Sequence, residues 1–137
     1  MVGSNTKPVI VERIFHGRTE KPWPGEVGSV GWNLCQMVGC SEWEFIQGFE
    51  RFIIDHKVRK LIQFIWGELE GRKIIFLGWA ALKPFGLPFE GWILPQLDVT
   101  GREWRVIPNT GMEEKAYRNP LMKLEVSLLL KDWFNGY

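Results

Sequence analysis

The sequence lacks long hydrophobic runs, is poor in cysteine and carries almost no excess charge. No apolar stretch approaches the roughly 18 residues that a membrane-spanning helix needs, and the first residues lack the order of a signal peptide. The two cysteines, Cys35 and Cys40, are too few for a disulfide framework, and the two histidines do not complete an ordinary zinc site with them. We therefore expect a cytoplasmic protein with reduced thiols, no metal, no cofactor and no membrane partner.

The net charge of +1 gives no indication of nucleic-acid binding, although a balanced chain can still carry a local basic face. The length of 137 residues, with 45% hydrophobic and 24% charged residues, predicts one globular domain over residues 1–137. Eight tryptophans are spread evenly along the chain. This spread favours packing in the core over a single stacking platform.

Several common catalytic signatures are also absent. The sequence contains no GxxxxGK[ST], no GxGxxG after its first strand, no GxSxG, no HExxH and no CxxC. Nucleotide hydrolysis by a P-loop, acyl hydrolysis by a serine and zinc chemistry are therefore all disfavoured.

Hydrophobic periodicity predicts alternating strands and helices. Strands are expected at PVIVERIF, RFII, KIIFLG and within LDVTGREWRVI, where a hairpin and two sequential strands are both compatible with Gly101. Helices are expected at GWNLCQMV, after the Ser41–Glu44 capping box, from Val58 to Gly71, briefly at WAALKPFGLP, and from Asn119 and Pro120 onward. The last helix is apolar on much of its circumference, so we expect it to be largely buried. This order predicts a three-layer α/β/α single domain with a small, mainly parallel sheet.

Residues 104–120, WRVIPNTGMEEKAYRNP, contain the most informative loop of the chain. An apolar run ends at Pro108 and gives way to a polar, glycine-containing segment. Open α/β sheets bind their ligands at the carboxyl ends of the strands. Three such strand ends are expected to converge, and their loops bring together polar side chains from His16, Arg18, Glu20, Glu26, Asp55, His56, Asn109, Thr110, Lys115, Tyr117 and Arg118.

Each group also has an interpretation without a ligand. Glu20 and Glu26 fit a solvated loop equally well. Asp55 is a favoured residue at the start of a helix, so the Asp55–His56 pair fits a cap. Lys115 and Arg118 fit ordinary surface charge.

Three blocks of the chain, in this order, resemble the uracil-DNA glycosylase superfamily, particularly its small, divergent prokaryotic and phage members. They are GSVGWNLCQMVGCSEWEF, GRKIIFLGWAALKPFGLP and IPNTGMEEKAYRNP. The resemblance implies a glycosylase-like fold and recognition of a flipped or modified nucleobase in DNA, with hydrolysis of the N-glycosidic bond. The implied partner is single- or double-stranded DNA, or a nucleobase or nucleotide.

The resemblance also implies roles for particular residues. Glu20 would position water, and Asn109 with Thr110 would stabilise the departing base or hold a phosphate. Trp23 or Tyr117 would stack on the base, and Asp55 or His56 would recognise its edge. The remaining implied contacts are substrate binding by His16, Arg18 and Gly111, and DNA binding by Lys115 and Arg118.

The chain departs from the family pattern at its most important positions. Asn109 stands where the closing motif usually has His, and HGRTEKPWPG replaces the usual first motif. The alternative function is therefore a non-catalytic module that binds nucleic acid or protein on the same fold with a decayed active site. A scaffold or inhibitor whose loops bind nothing is the third possibility.

Overall fold

The computed structural model describes residues 7–14, 25, 27–55 and 62–135. Within these ranges five strands form one sheet: β1 (Val9–Ile14), β2 (Glu50–Asp55), β3 (Lys73–Leu77), β4 (Gln96–Leu97) and β5 (Glu103–Ile107). The helices of the same ranges are α1 (Val30–Val38), α2 (Glu42–Gly48), α3 (Ile62–Glu68), α4 (Trp79–Leu82) and α5 (Pro120–Asn135). Among the described residues, 3₁₀ helices cover Lys83–Phe85 and Glu114–Arg118.

The strand order is β2-β1-β3-β5-β4, and all neighbours are parallel except β4 and β5. The antiparallel pairing of Gln96 with Trp104 settles the open alternative in favour of a hairpin. β2 lies on one side of β1 in the sheet, and β3 lies on the other side. A topological switch point therefore lies between the carboxyl ends of β1 and β3, where open sheets commonly bind ligands.

Side chains alternate between two helical layers, so the architecture is a mixed α/β domain, as the sequence predicts. Ile10 and Ile75 pack in one core with residues of α1, α2 and α5. Val11 and Phe76 pack in the other core with residues of α3 and α4. The period of two along each strand explains this division, because successive side chains point to opposite faces of the sheet.

Local helix signals are confirmed at one end of each of three helices, α1, α2 and α5. Gly39 ends α1 in the left-handed conformation, and Ser41 and Glu44 form a complete capping box at the start of α2. The Asn119 side chain accepts a hydrogen bond from the Leu121 backbone N–H at the start of α5. None of the described helices is long and apolar enough to cross a bilayer.

The expectation that α5 is largely buried is wrong. Val126, Leu130 and Trp133 are buried, whereas Leu121, Leu124 and Leu128 are exposed. The helix lies in an outer layer and packs against α1 and the sheet from one side. The leucines on its other side are therefore covered by no other described layer and stay exposed to solvent. The apolar composition of a helix does not show which of its faces is buried.

The turn of the β4–β5 hairpin predicts a loss of stability in acid. Partial burial acts to raise the pKa of Asp98, but hydrogen bonds from Thr100 and Arg102 outweigh it and lower the pKa to about 2. The folded-state pKa lies below the ordinary value of 3.8, so this stabilisation is complete above about pH 4 and is lost as the pH falls towards 2.

We expect the stability difference between the parent protein and Asp98→Asn to shrink over this pH interval. Urea unfolding followed by circular dichroism between pH 2 and pH 7 measures it. Glu90→Gln, at an exposed position, is the matched control for removal of one carboxylate. A difference for Asp98→Asn that stays constant from pH 7 to pH 2 would contradict the assignment.

Candidate functional site

The predicted site residues fall into two groups. His16, Arg18, Glu20, Trp23, Glu26 and His56 lie outside the described residues, and Asp55 is described only as the last residue of β2. Their implied roles therefore stay predictions. The described members all belong to the segment that follows β5, residues 108–119, which we call the closing loop; they are Asn109, Thr110, Gly111, Lys115, Tyr117 and Arg118.

The Asn109 side chain organises the closing loop. Its Oδ1 accepts hydrogen bonds from the backbone N–H groups of Gly111 at 2.8 Å and Met112 at 3.2 Å, and the residue is buried. An asparagine that bonds the backbone two residues ahead forms an Asx turn. This carbonyl oxygen is thus engaged within the loop, in a turn that includes Thr110.

Glu113 ties the closing loop to the end of β3. Its Oε1 accepts a hydrogen bond from the Asn109 backbone N–H at 2.9 Å, and its Oε2 accepts one from the Trp79 N–H at 3.3 Å. A Cβ on Gly78 would lie only 2.2 Å from the Glu113 Oε1. The carboxylate therefore occupies space that only a glycine leaves open. The role of Glu113 was not predicted from the sequence. The available signal was Gly78 directly after a buried strand, because a glycine there indicates that another group approaches the backbone closely.

A cleft of about 390 Å³ opens between α1, the closing loop and the start of α5. This volume suits a small ligand. The lining residues are Trp32, Asn33, Gln36, Met37, Thr110, Glu114, Tyr117 and Lys123. Of the predicted site residues, the cleft brings together Thr110 and Tyr117, whereas Lys115 and Arg118 are exposed and do not line it.

Sequence reasoning identified α1 as a helix but assigned no function to its polar residues. Asn33 and Gln36 stand three residues apart, so they share one face of the helix and both line the cleft. Two amides that interrupt the otherwise apolar segment GWNLCQMV were a usable signal. The contribution of Lys123 from α5 had no such signal, because only the tertiary fold brings α5 beside α1.

Tyr117 contributes a ring surface to the cleft. Its hydroxyl donates a hydrogen bond to the Pro108 carbonyl. Burial, assisted by the negative charge of Glu113, raises the pKa of the Tyr117 phenol. The phenol therefore stays neutral, and its proton is committed to the loop backbone.

The charges that line the cleft balance each other. Glu114 and Lys123 carry opposite signs, and the other lining residues are neutral. Hydrogen bonds with the neutral amides and the Thr110 hydroxyl, together with aromatic side chains, suit an uncharged planar ligand. Across the described ranges, no group of three or more His, Cys, Asp or Glu side chains is placed to hold a metal ion.

The carboxyl ends of the parallel strands β1, β2 and β5 lie at the same edge of the sheet, and the loops predicted to converge there after β1 and β2 lie largely outside the described residues. β2 and β5 are separated by β1 and β3, so their carboxyl ends lie roughly 14 Å apart at the usual strand spacing. Asp55 at the end of β2 and the closing loop after β5 thus share one edge without direct contact between the strand ends.

Comparison with protein-family models finds no match, and comparison with curated protein sequences finds none either.

Proposed function

We propose that this protein is a DNA glycosylase-like protein that binds a nucleobase displaced from DNA in the cleft between α1 and the closing loop. The carrying observation is that Thr110, Glu114 and Tyr117 of the closing loop face the amides of α1 across a cleft of about 390 Å³. The resemblance to the glycosylase superfamily includes both the α1 segment and the closing loop.

The chemistry of the cleft supports a base as the ligand. The rings of Trp32 and Tyr117 offer surfaces for stacking, and the amides of Asn33 and Gln36 offer hydrogen-bond groups for a base edge. Enzymes that act on bases bind the displaced base by this combination of stacking and edge hydrogen bonds. A phosphate is a poorer fit, because the positive charge of Lys123 is balanced by Glu114.

Hydrolysis of the N-glycosidic bond would require a carboxylate that positions a water molecule. Glu114 is the carboxylate that the described cleft contains, and Glu20 is the one that the resemblance implies. The Asn109 carbonyl oxygen is engaged by two backbone N–H groups. The second candidate function, in which the base is bound without being released, is favoured by Asn109 at the position where the closing motif usually has His.

Binding is tested with single-stranded oligonucleotides that carry one uracil, mismatched or hypermodified base. We expect Gln36→Ala to weaken binding three- to tenfold, the value of one hydrogen bond. Gln47→Ala is the matched control, because Gln47 is an exposed glutamine of α2 outside the cleft. The absence of binding to every oligonucleotide, or equal effects of the two substitutions, would refute base binding in this cleft.

Base release from the same oligonucleotides separates the two candidate functions. Base release by the parent protein identifies an enzyme. The variant in which release is slower, Glu20→Gln or Glu114→Gln, identifies the carboxylate that positions the water molecule. Binding without release, with an affinity that is unchanged in Glu20→Gln, identifies a non-catalytic recognition module.

A further inference from the structure

We infer that Asn33 and Thr110 form an adjacent acceptor and donor pair that recognises a base edge carrying an N–H donor beside a hydrogen-bond acceptor. This inference rests on the proposed function, because it specifies which part of the base enters the cleft. It assigns recognition to a residue of α1 and a residue of the closing loop.

The orientation of the Asn33 amide follows from its neighbours. Its Nδ2 lies 3.5 Å from the Gly28 carbonyl oxygen and 3.2 Å from the Thr110 Oγ1. A backbone carbonyl can only accept, so the nitrogen of the amide, and not its oxygen, faces Gly28. Both amide hydrogens are thereby directed at protein groups, and Oδ1 is the acceptor that remains for a ligand.

The Thr110 hydroxyl has the complementary role. Its oxygen accepts the hydrogen bond from Asn33, which leaves the hydroxyl proton to donate. The Asx turn made by Asn109 holds the backbone immediately after Thr110. The cleft thus presents one acceptor and one donor side by side, on α1 and on the closing loop.

Such a pair selects a chemical class of ligand. A lactam edge, as in uracil or guanine, and an amidine edge, as in cytosine or adenine, each place an N–H next to an acceptor. A site built to hydrogen-bond such groups rejects an analogue that lacks them, because its own polar groups are left unpaired. Methylation of the N–H on that edge should therefore weaken binding, whichever of the four bases binds.

The test compares each base in a single-stranded oligonucleotide with its counterpart methylated on that edge. The counterparts are 3-methyluracil, 1-methylguanine, N4,N4-dimethylcytosine and N6,N6-dimethyladenine. For the base that binds most tightly, we expect the parent protein to bind the methylated form at least about tenfold more weakly. Thr110→Val, which keeps the shape and removes the hydroxyl, should weaken binding of the unmethylated base, whereas Thr110→Ser should retain it.

The outcomes separate this inference from the proposed function. Equal binding of methylated and unmethylated bases by the parent protein overturns the edge assignment and leaves base binding in place. Binding of no oligonucleotide overturns both. Selective binding that persists in Thr110→Val overturns the role of Thr110, and thermal unfolding of each variant confirms that it is folded.

Discussion

Replacement of Gly78 by alanine is expected to lower the free energy of unfolding by about 4 kcal/mol. Gly78 has φ 83° and ψ 168°, a conformation that is essentially restricted to glycine and costs other residues about 1–3 kcal/mol. The new Cβ would also lie 2.2 Å from the Glu113 Oε1. The carboxylate would have to move and release the N–H groups of Asn109 and Trp79. Urea unfolding at neutral pH measures the loss.

Gly86→Ala is the control for a positive φ without a steric clash. Gly86 also has a positive φ, 69°, but a Cβ there would meet nothing within 4 Å. We expect this substitution to cost about 1–2 kcal/mol, the penalty of the left-handed conformation alone. In the Glu113→Ala background, Gly78→Ala should cost less than in the parent protein, because no carboxylate remains to be displaced. Equal costs at positions 78 and 86 would refute the role of Glu113.

Replacement of Trp133 by alanine is expected to cost about 4 kcal/mol, within the usual range for removal of a buried aromatic side chain. Trp133 is 2% exposed and packs in the core between α1, α2, α5 and the sheet. Its ring also lies near two cations: the Lys73 Nζ is 5.5 Å and the Arg105 Cζ 5.2 Å from the ring centroid. Truncation would remove this cation–π surface and leave a cavity beneath both side chains.

Trp43→Ala is the matched control, because it makes the same chemical change at a tryptophan that is 71% exposed. Its effect should stay within about 0.5 kcal/mol, as for most surface substitutions. Urea unfolding of both variants decides the prediction. A loss at Trp133 comparable to that at Trp43 would show that Trp133 does not pack in the core.

Much of the local structure could be predicted from the sequence. The capping box at Ser41 and Glu44, the terminal Gly39 of α1 and the Asn119–Pro120 start of α5 are all present. Each depends on side chains within a few residues of the backbone that they stabilise. The alternation of strands and helices followed from hydrophobic periodicity, which is also set by neighbouring residues, and this alternation predicted the mixed α/β class.

Contacts between distant segments could not be predicted in this way. The hairpin was one of two alternatives until the pairing of Gln96 with Trp104 decided it. The exposure of Leu121, Leu124 and Leu128 depends on what lies beside α5, and not on their hydrophobicity. In the candidate site, the sequence indicated Thr110 and Tyr117 but missed Asn33, Gln36 and Lys123, which only the packing of α1 and α5 brings to the cleft.

The sequence by itself determined the end of α1 at Gly39, the starts of α2 and α5, and the apolar segments that form the strands, whereas α3 ends at Glu68 and not at the expected Gly71. These features depend on short-range hydrogen bonds and on side-chain periodicity, which neighbouring residues specify. Only the tertiary structure decided that Glu113 fills the space above Gly78, that Asn109 is engaged by its own loop, and that the cleft lies against α1. These features join residues from β3, the closing loop, α1 and α5, and their proximity is a property of the folded chain that local sequence cannot encode.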